Sequence, residues 1–246
     1  MKDYNYYPYS FKEYILYSLQ GFGISFLFLY LFYRSMSVAV PAAVFTPFFL
    51  KGKRKKKIKE QQWQLNLEFK EGITSLSSAL YAGYSIENAF LEAAGDLTML
   101  YGAQAFIIKE FQYISNQLRM NRTVEDCLKE FAMRSGVEDI KNFAEVFITA
   151  KRTGGDIMGI IRNSSQNVAG RIEVKREIKT IITAKQMESR IMCLVPLGII
   201  LYLWIFSPGF LDGMYGNLCG ILIMSALLLV YLGAYALSEK IVDIKV

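Results

Sequence analysis

Residues 14–33, YILYSLQGFGISFLFLYLFY, run for twenty positions without a charged side chain. No other feature narrows the folds open to this chain as much. An α-helix of about 20 apolar residues covers a hydrocarbon core of roughly 30 Å, and it satisfies every backbone group within itself. Tyrosines near both ends suit the two interfaces. The stretch is too long for a cleaved signal peptide, and no small-residue cleavage site follows it. Three more apolar segments occur: Met36–Leu50, Ile191–Ser207 and Asn217–Leu237. The last two are separated by SPGFLDGMYG, a turn-rich loop without Lys or Arg. Met36–Leu50 has only fifteen residues, with Pro41 and Pro47 among them, a length that suits a re-entrant or interfacial segment. The cationic run that begins at once after it favours a short span.

That run comprises Lys51, Lys53, Arg54, Lys55, Lys56, Lys57 and Lys59, with only Gly52 and Ile58 uncharged between its ends. Positive charge gathers on the cytoplasmic side of membrane spans. With four spans, the two outer loops hold only Arg34, whereas the inner flanks hold the basic run, Lys179, Lys185, Arg190, Lys240 and Lys245. Both termini and residues 51–190 are therefore expected in the cytoplasm of a multi-pass membrane protein. The run reads as a stop signal that fixes depth and orientation and attracts anionic lipid, at about 1 kcal/mol per basic residue near the surface. It lacks the interleaved aromatics or widespread basic face of a nucleic-acid site, so no nucleic-acid partner is expected.

Between the two apolar regions the pattern changes to amphipathic helices. Proline is absent from Phe48 to Val195, so nothing in that stretch breaks a helix by ring clash or a missing N–H. Ser85, Thr123 and Asp156 each stand where a side-chain oxygen can bond the free N–H groups of a first helical turn. Thr123 with Asp126 approximates a capping box. Apolar residues follow at helical spacing: Ile86, Ala89, Phe90 and Ala93, then Val124, Cys127, Leu128 and Phe131, then Ile157, Ile160 and Ile161. Gly83, Gly102, Gly136 and the pair Gly154–Gly155 mark the turns. The reading is an all-α antiparallel cytoplasmic bundle of about six helices, over 61–82, 86–97, 103–119, 124–135, 138–152 and 157–190, flanked by two pairs of transmembrane helices. The domains would be 1–50, a short tail with spans 14–33 and 36–50; a polybasic juxtamembrane linker, 51–63; the bundle, 64–190; and 191–246, with spans 191–207 and 217–237 and a short tail. The last cytoplasmic helix would extend about 50 Å and could join bundle to membrane as a lever. Its charged face, RIEVKREIKT, is either a solvated surface laced by i,i+3 and i,i+4 pairs or a partner contact.

No catalytic constellation is visible. The chain has no histidine, which removes imidazole-based acid–base chemistry and every histidine-containing metal site. Cys127, Cys193 and Cys219 are far apart and read as packing residues rather than metal ligands or a disulfide. Arg152–Asp156, RTGGD, superficially resembles a phosphate turn, but the Walker spacing is missing and Asp156 would repel phosphate. The carboxylates Glu87, Glu92, Asp96, Glu125, Asp126 and Glu130 fall mainly at caps or expected surface positions. The spans carry no Asp, Glu, Lys or Arg, which argues against a path for protons or charged substrates. Neither a cofactor nor an active site is expected.

Two segments carry a family resemblance: LSSALYAGYSIENAFLEAA, and LRMNRTVEDCLKEFAMRSGVEDIKNFAEVFITAKRTGGDIMGIIRNSSQNV. The L-x-AG-x-S-x-x-x-A turn at Leu80–Ala89, the cap at Thr123 and the A-x-R-TGGD turn at Ala150–Asp156 resemble the type II secretion system F domain over about residues 65–190. One such domain between two pairs of spans is similar to the TadB/TadC branch, which serves tight-adherence (Flp-type) pili, and the N-terminal pair favours the TadB side. The resemblance implies a non-enzymatic inner-membrane platform that couples a cytoplasmic hexameric ATPase to insertion or extraction of pilin. Its implied partners are the secretion ATPase, a second, TadC-like F-domain protein, pilin or prepilin, membrane lipids and further copies of itself. Gly83, Gly136, Gly154 and Gly155 would make turns, with Ser85, Thr123 and Asp156 at the caps and Thr153 within the same turn motif. The other reading is a polybasic, lipid-associated scaffold that works without an ATPase.

Overall fold

Between Leu65 and Ile172 apolar side chains recur three or four positions apart, and each run of them closes into a helix with one buried face. The computed structural model describes residues 1–154, 156–207, 209–215 and 217–242. Its elements are α1 (Phe11–Tyr33), a 3₁₀ turn (Met36–Val38), α2 (Ala39–Tyr81), α3 (Ile86–Tyr101), α4 (Phe106–Arg119), α5 (Val124–Ser135), α6 (Glu138–Thr153), α7 (Ile157–Phe206), a second 3₁₀ turn (Asp212–Met214) and α8 (Leu218–Val242). Among the described residues there is no strand, and the protein is all-α.

Two boundaries differ from the expectation. No break in the helix follows Met36–Leu50, and the segment 51–63, expected as a juxtamembrane linker, is itself helical. After the 3₁₀ turn, the apolar residues, the basic run and the first bundle helix form the single 43-residue α2. The reason lies in the run itself. Lys, Arg, Glu and Gln are strong helix formers, no proline follows Pro47, and Lys57 pairs with Glu60 one turn on at 3.2 Å. Lys51, Lys55, Lys56 and Lys59 meanwhile stay exposed. Likewise the helix expected over 157–190 does not stop there. It continues through Pro196 to Phe206 as the 50-residue α7. Proline removes one ladder bond without ending a helix whose neighbours can satisfy the freed carbonyl. Helices α1, α7 and α8 each contain a stretch long and apolar enough to cross a membrane.

The chain divides into two compact units. Unit 1 holds residues 1–8 and 54–174. Its core joins Leu65, Phe69, Ile73 and Leu76 of α2 to Phe90 and Leu97 of α3, Ile107, Phe111 and Ile114 of α4, Leu128 and Phe131 of α5, Phe143 and Phe147 of α6, and Ile161, Val168 and Ile172 of α7. Phe69 stands at the centre, its ring 6.2 Å from Phe131 and 5.4 Å from Phe143. Phe90 meets Phe111 edge-on at 5.1 Å. Gly72 permits a close approach of α2 to α4, because a Cβ there would stand 3.0 Å from the Phe111 ring and 3.1 Å from Ile107.

Unit 2 holds residues 9–53 and 175–246. In α1 a Cβ on Gly21 would meet Phe49 of α2, whereas Tyr17, one turn earlier, faces Lys53, one turn later. The leading part of α2 thus runs antiparallel to α1. The Tyr231 hydroxyl of α8 donates to the Cys193 carbonyl at 2.7 Å, and Ser238 bonds Ser189, so α7 and α8 form a second antiparallel pair. Tyr33 and Ser225 share a hydrogen bond of 2.7 Å that joins α1 to α8. In a hydrocarbon surrounding such side-chain hydrogen bonds and small-residue contacts take over from the hydrophobic effect in holding helices together.

Candidate functional site

Three of the turns singled out by sequence lie at one pole of unit 1. Thr123 caps α5 by accepting the Asp126 N–H at 3.2 Å, and its hydroxyl donates to the Asp126 carboxylate at 2.7 Å. This departs from the expected capping box, in which the carboxylate would reach the backbone N–H of the cap residue. Ser85 caps α3 through a longer bond, 3.4 Å from Asn88 N. Asp156 stands before α7 and accepts the Gly159 N–H at 3.0 Å. Thr153, of the same turn motif, is the last residue of α6 and donates back to the Thr149 and Ala150 carbonyls. Gly83, Gly136 and Gly154 adopt φ of +88°, +61° and +71°, the left-handed region that favours glycine. Gly155 lies outside the described residues.

Two contacts tie these turns together. Ser115, near the end of α4, donates to the Glu87 carbonyl at the start of α3. Lys151, near the end of α6, reaches Glu125 at the start of α5 at 2.8 Å. The hydrogen bond from Lys151 holds the Glu125 carboxyl below the ordinary carboxylate range. The turns at 81–85 and 119–124 and the end of α6 therefore share one end of the bundle with the Asp156 cap of α7. Tyr81, Tyr84, Met120 and Met158 are exposed there. Gly136, by contrast, belongs to the opposite pole.

At that opposite pole is a polar cluster that the sequence reading missed. The side chain of Glu110 is 1% exposed and accepts from the two terminal guanidinium nitrogens of Arg134, Nη2 at 2.7 Å and Nη1 at 3.0 Å, and from the Tyr4 hydroxyl at 3.0 Å. Burial, then the Glu110 charge, push the Tyr4 hydroxyl well above its ordinary pKa, so it stays a donor. A signal existed: Glu110 occupies the i+3 place of the stripe Ile107, Phe111 and Ile114, where an apolar residue is expected. Two further carboxylates are buried and satisfied. Glu68 accepts the Ile107 N–H at 3.0 Å, and Asp139 accepts from Asn66 at 2.9 Å and Arg171 at 3.2 Å. Among the described residues no group of acidic, cysteine or histidine side chains could hold a metal ion.

The basic run is distributed along α2 rather than gathered into a pocket. Lys53 of unit 2 lies 5.7 Å from the Tyr17 ring centre and 5.5 Å from that of Phe49, and Arg54 of unit 1 lies 5.3 Å from that of Tyr6. Unit 2 also presents an open groove of about 830 Å³, lined by Leu29, Phe32, Phe45, Met224 and Leu228 together with Arg34. Arg34 pairs with Asp212 at 2.9 Å.

No curated protein and no solved structure matches the chain. The family model described as type II secretion system (T2SS), protein F, matches residues 73–205, more than half of the sequence. That span covers the caps of α3, α5 and α7 and most of α7 itself. The chain, with its apolar helices, is a membrane protein, and it belongs to the T2SS protein F family of membrane platform proteins in secretion and pilus systems.

Proposed function

We propose that this protein is a TadB-like, non-enzymatic platform of the inner membrane that couples a cytoplasmic secretion ATPase to the insertion or extraction of pilin. The observation that carries this reading is α7. From the Asp156 cap it continues without a break to Phe206, and its last part is one of the apolar candidate spans. Such a helix can pass a displacement of the bundle to the membrane, because its backbone ladder shortens or bends only at a cost. The pole with the three capped turns is the surface offered to the ATPase. A second F-domain protein and further copies of this chain complete the platform.

Membrane topology follows from a parity argument. Residues 1–8 pack into the same unit as residues 54–174, which supports a topology with both on one side of the membrane. If α1 crosses, the chain must cross back before Arg54, and Met36–Leu50 is the segment available. The twelve residues Ala39–Leu50 rise about 18 Å, and the 3₁₀ turn and the snorkelling stems of Lys51 and Lys53 supply the remaining reach. With the positive charge, this supports four crossings and a cytoplasmic bundle.

The test is in-membrane crosslinking of the tagged full chain in its native host, with partners identified by mass spectrometry. Recovery of a secretion ATPase with a pilin or a second F-domain protein is expected. Self-crosslinks and lipid contacts alone, from cells that express the apparatus, would instead support the lipid-bound scaffold suggested by the exposed lysines of α2.

A further inference from the structure

The first eight residues dock on the bundle through one buried side chain, Tyr4, and a set of hydrogen bonds. The Tyr4 side chain is buried among core residues, and its ring meets Phe106 edge-on at 5.5 Å. The Lys2 ammonium lies 4.2 Å from the Phe106 ring centre. The backbone is held as well. The Tyr4 N–H donates to the Arg134 carbonyl at 2.9 Å, Gln61 Nε2 donates to the Tyr4 carbonyl at 3.1 Å, and Arg134 Nη1 donates to the Lys2 carbonyl at 3.1 Å. Asn5 Nδ2 donates to the Met133 carbonyl at 3.1 Å and the Arg134 carbonyl at 3.3 Å. These carbonyls belong to the last turn of α5, where no intrahelical donor remains. Gly136 makes the room, because a Cβ there would collide with Asn5 and Gln62.

A plug that only filled a hole would need the ring. Here main-chain bonds to α5 and a side-chain bond from α2 set the segment's register along the bundle, which resists sliding as a greasy contact alone does not. The link from the segment to α1 is short along the chain: only residues 6–10 lie between Asn5 and Phe11. The first segment of unit 1 ends at Pro8, the chain enters unit 2 at Tyr9, and α1 starts at Phe11, after Ser10 donates its N–H to Glu13 at 3.1 Å. Tyr9 bonds the Leu50 carbonyl at 2.9 Å. Apart from this noncovalent link, α4 and α5 reach unit 2 only along the chain, through α2 and α7.

Resting on the platform reading above, we infer that residues 1–8 are a force-bearing tie that couples α4 and α5 to the first apolar helix, with Tyr4, Glu110 and Arg134 as its anchor. These are positioning residues: they touch no substrate and act by transmitting displacement.

The experiment separates tie from plug by adding slack without touching the anchor. A flexible Gly/Ser insert of about eight residues between Pro8 and Tyr9 has a reach of roughly 16 Å and leaves Tyr4 free to dock. Wild type, a gene deletion and the insert are compared for pilus or secretion output in the native host. The purified full-length proteins are compared by melting temperature. The expected result is a melting temperature unchanged by the insert and output reduced about tenfold or more, with the deletion abolishing output. Full output from the insert, with none from the deletion, overturns the tie and leaves the platform reading intact. Full output from the deletion overturns both. If the long insert lowers the melting temperature, shorter inserts serve: a tie requires output to fall with insert length while the melting temperature stays level, and output that follows melting temperature instead overturns it.

Discussion

Tyr4 offers the sharpest measure of how far the tertiary structure extends beyond the helices. Replacing it with alanine removes an aromatic side chain that is 1% exposed and leaves a cavity between α2, α4 and α5, a change that costs about 3–5 kcal/mol. Tyr4→Phe keeps the ring and deletes one hydrogen bond to Glu110. Arg134 still engages both carboxylate oxygens, so the loss sits near the lower end for bonds to charged groups, about 1.5 kcal/mol. For a unit of about 130 residues each kcal/mol moves the midpoint about 3–5 °C, so Tyr4→Ala should lower it by about 10–20 °C and Tyr4→Phe by about 5 °C. Differential scanning fluorimetry of the full chain in one detergent reads both. The phenol adds a pH signature. Its folded-state pKa is raised, so its contribution is complete below the unfolded value of about 10 and is lost as pH rises beyond it. Wild type should weaken on titration past that point, and Tyr4→Phe should lack this component. Equal midpoints for wild type and Tyr4→Ala would refute the packing of residues 1–8 into the bundle.

Four other outcomes follow from the same geometry. Thr123→Ala should cost about 1 kcal/mol, and Ser85→Ala less because its bond is longer, as read by chemical denaturation of each variant. Gly136→Ala should destabilise more than Gly154→Ala. Both acquire a positive-φ penalty of about 1–2 kcal/mol, but only the first drives a Cβ into Asn5 and Gln62, and paired melts decide it. Gly72→Val should cost about 1–3 kcal/mol by forcing α2 away from Phe111, with Gly95→Val, which meets open space, as the control measured beside it. Acid should loosen the contact of α5 with α6. The Glu125 pKa is depressed by Lys151, so the stabilisation is present above the unfolded carboxylate value and disappears as pH falls through the folded one. Glu125→Gln should flatten that part of a stability-against-pH curve.

The helices and their turns were legible because they depend on neighbours in sequence. Glycines at 83, 136 and 154, the cap at Thr123 and the stripes of α3 and α5 are local requirements of backbone geometry and of one buried face. The apolar spans were legible for the same reason, since length and lack of charge are local quantities. The interruption expected between Leu50 and the first bundle helix is absent; it was expected because a change from apolar to charged composition looks like a boundary. The backbone, however, needs only helix formers and the absence of a breaker, and α2 and α7 have both.

Only the tertiary structure decided which residues are paired at a distance. Glu110, a charged residue inside an apolar stripe, is tolerable there solely because Arg134, 24 positions on, and Tyr4, 106 positions back, supply its donors. Gly136 reads as a turn residue, and its second duty, leaving space for Asn5, exists only once residues far apart in the chain are brought together. The sequence by itself determined the all-α class, the apolar segments and the turns, because those follow from interactions within a few residues. The folded chain determined the place of residues 1–8, because a buried polar cluster is stable only when every partner arrives together.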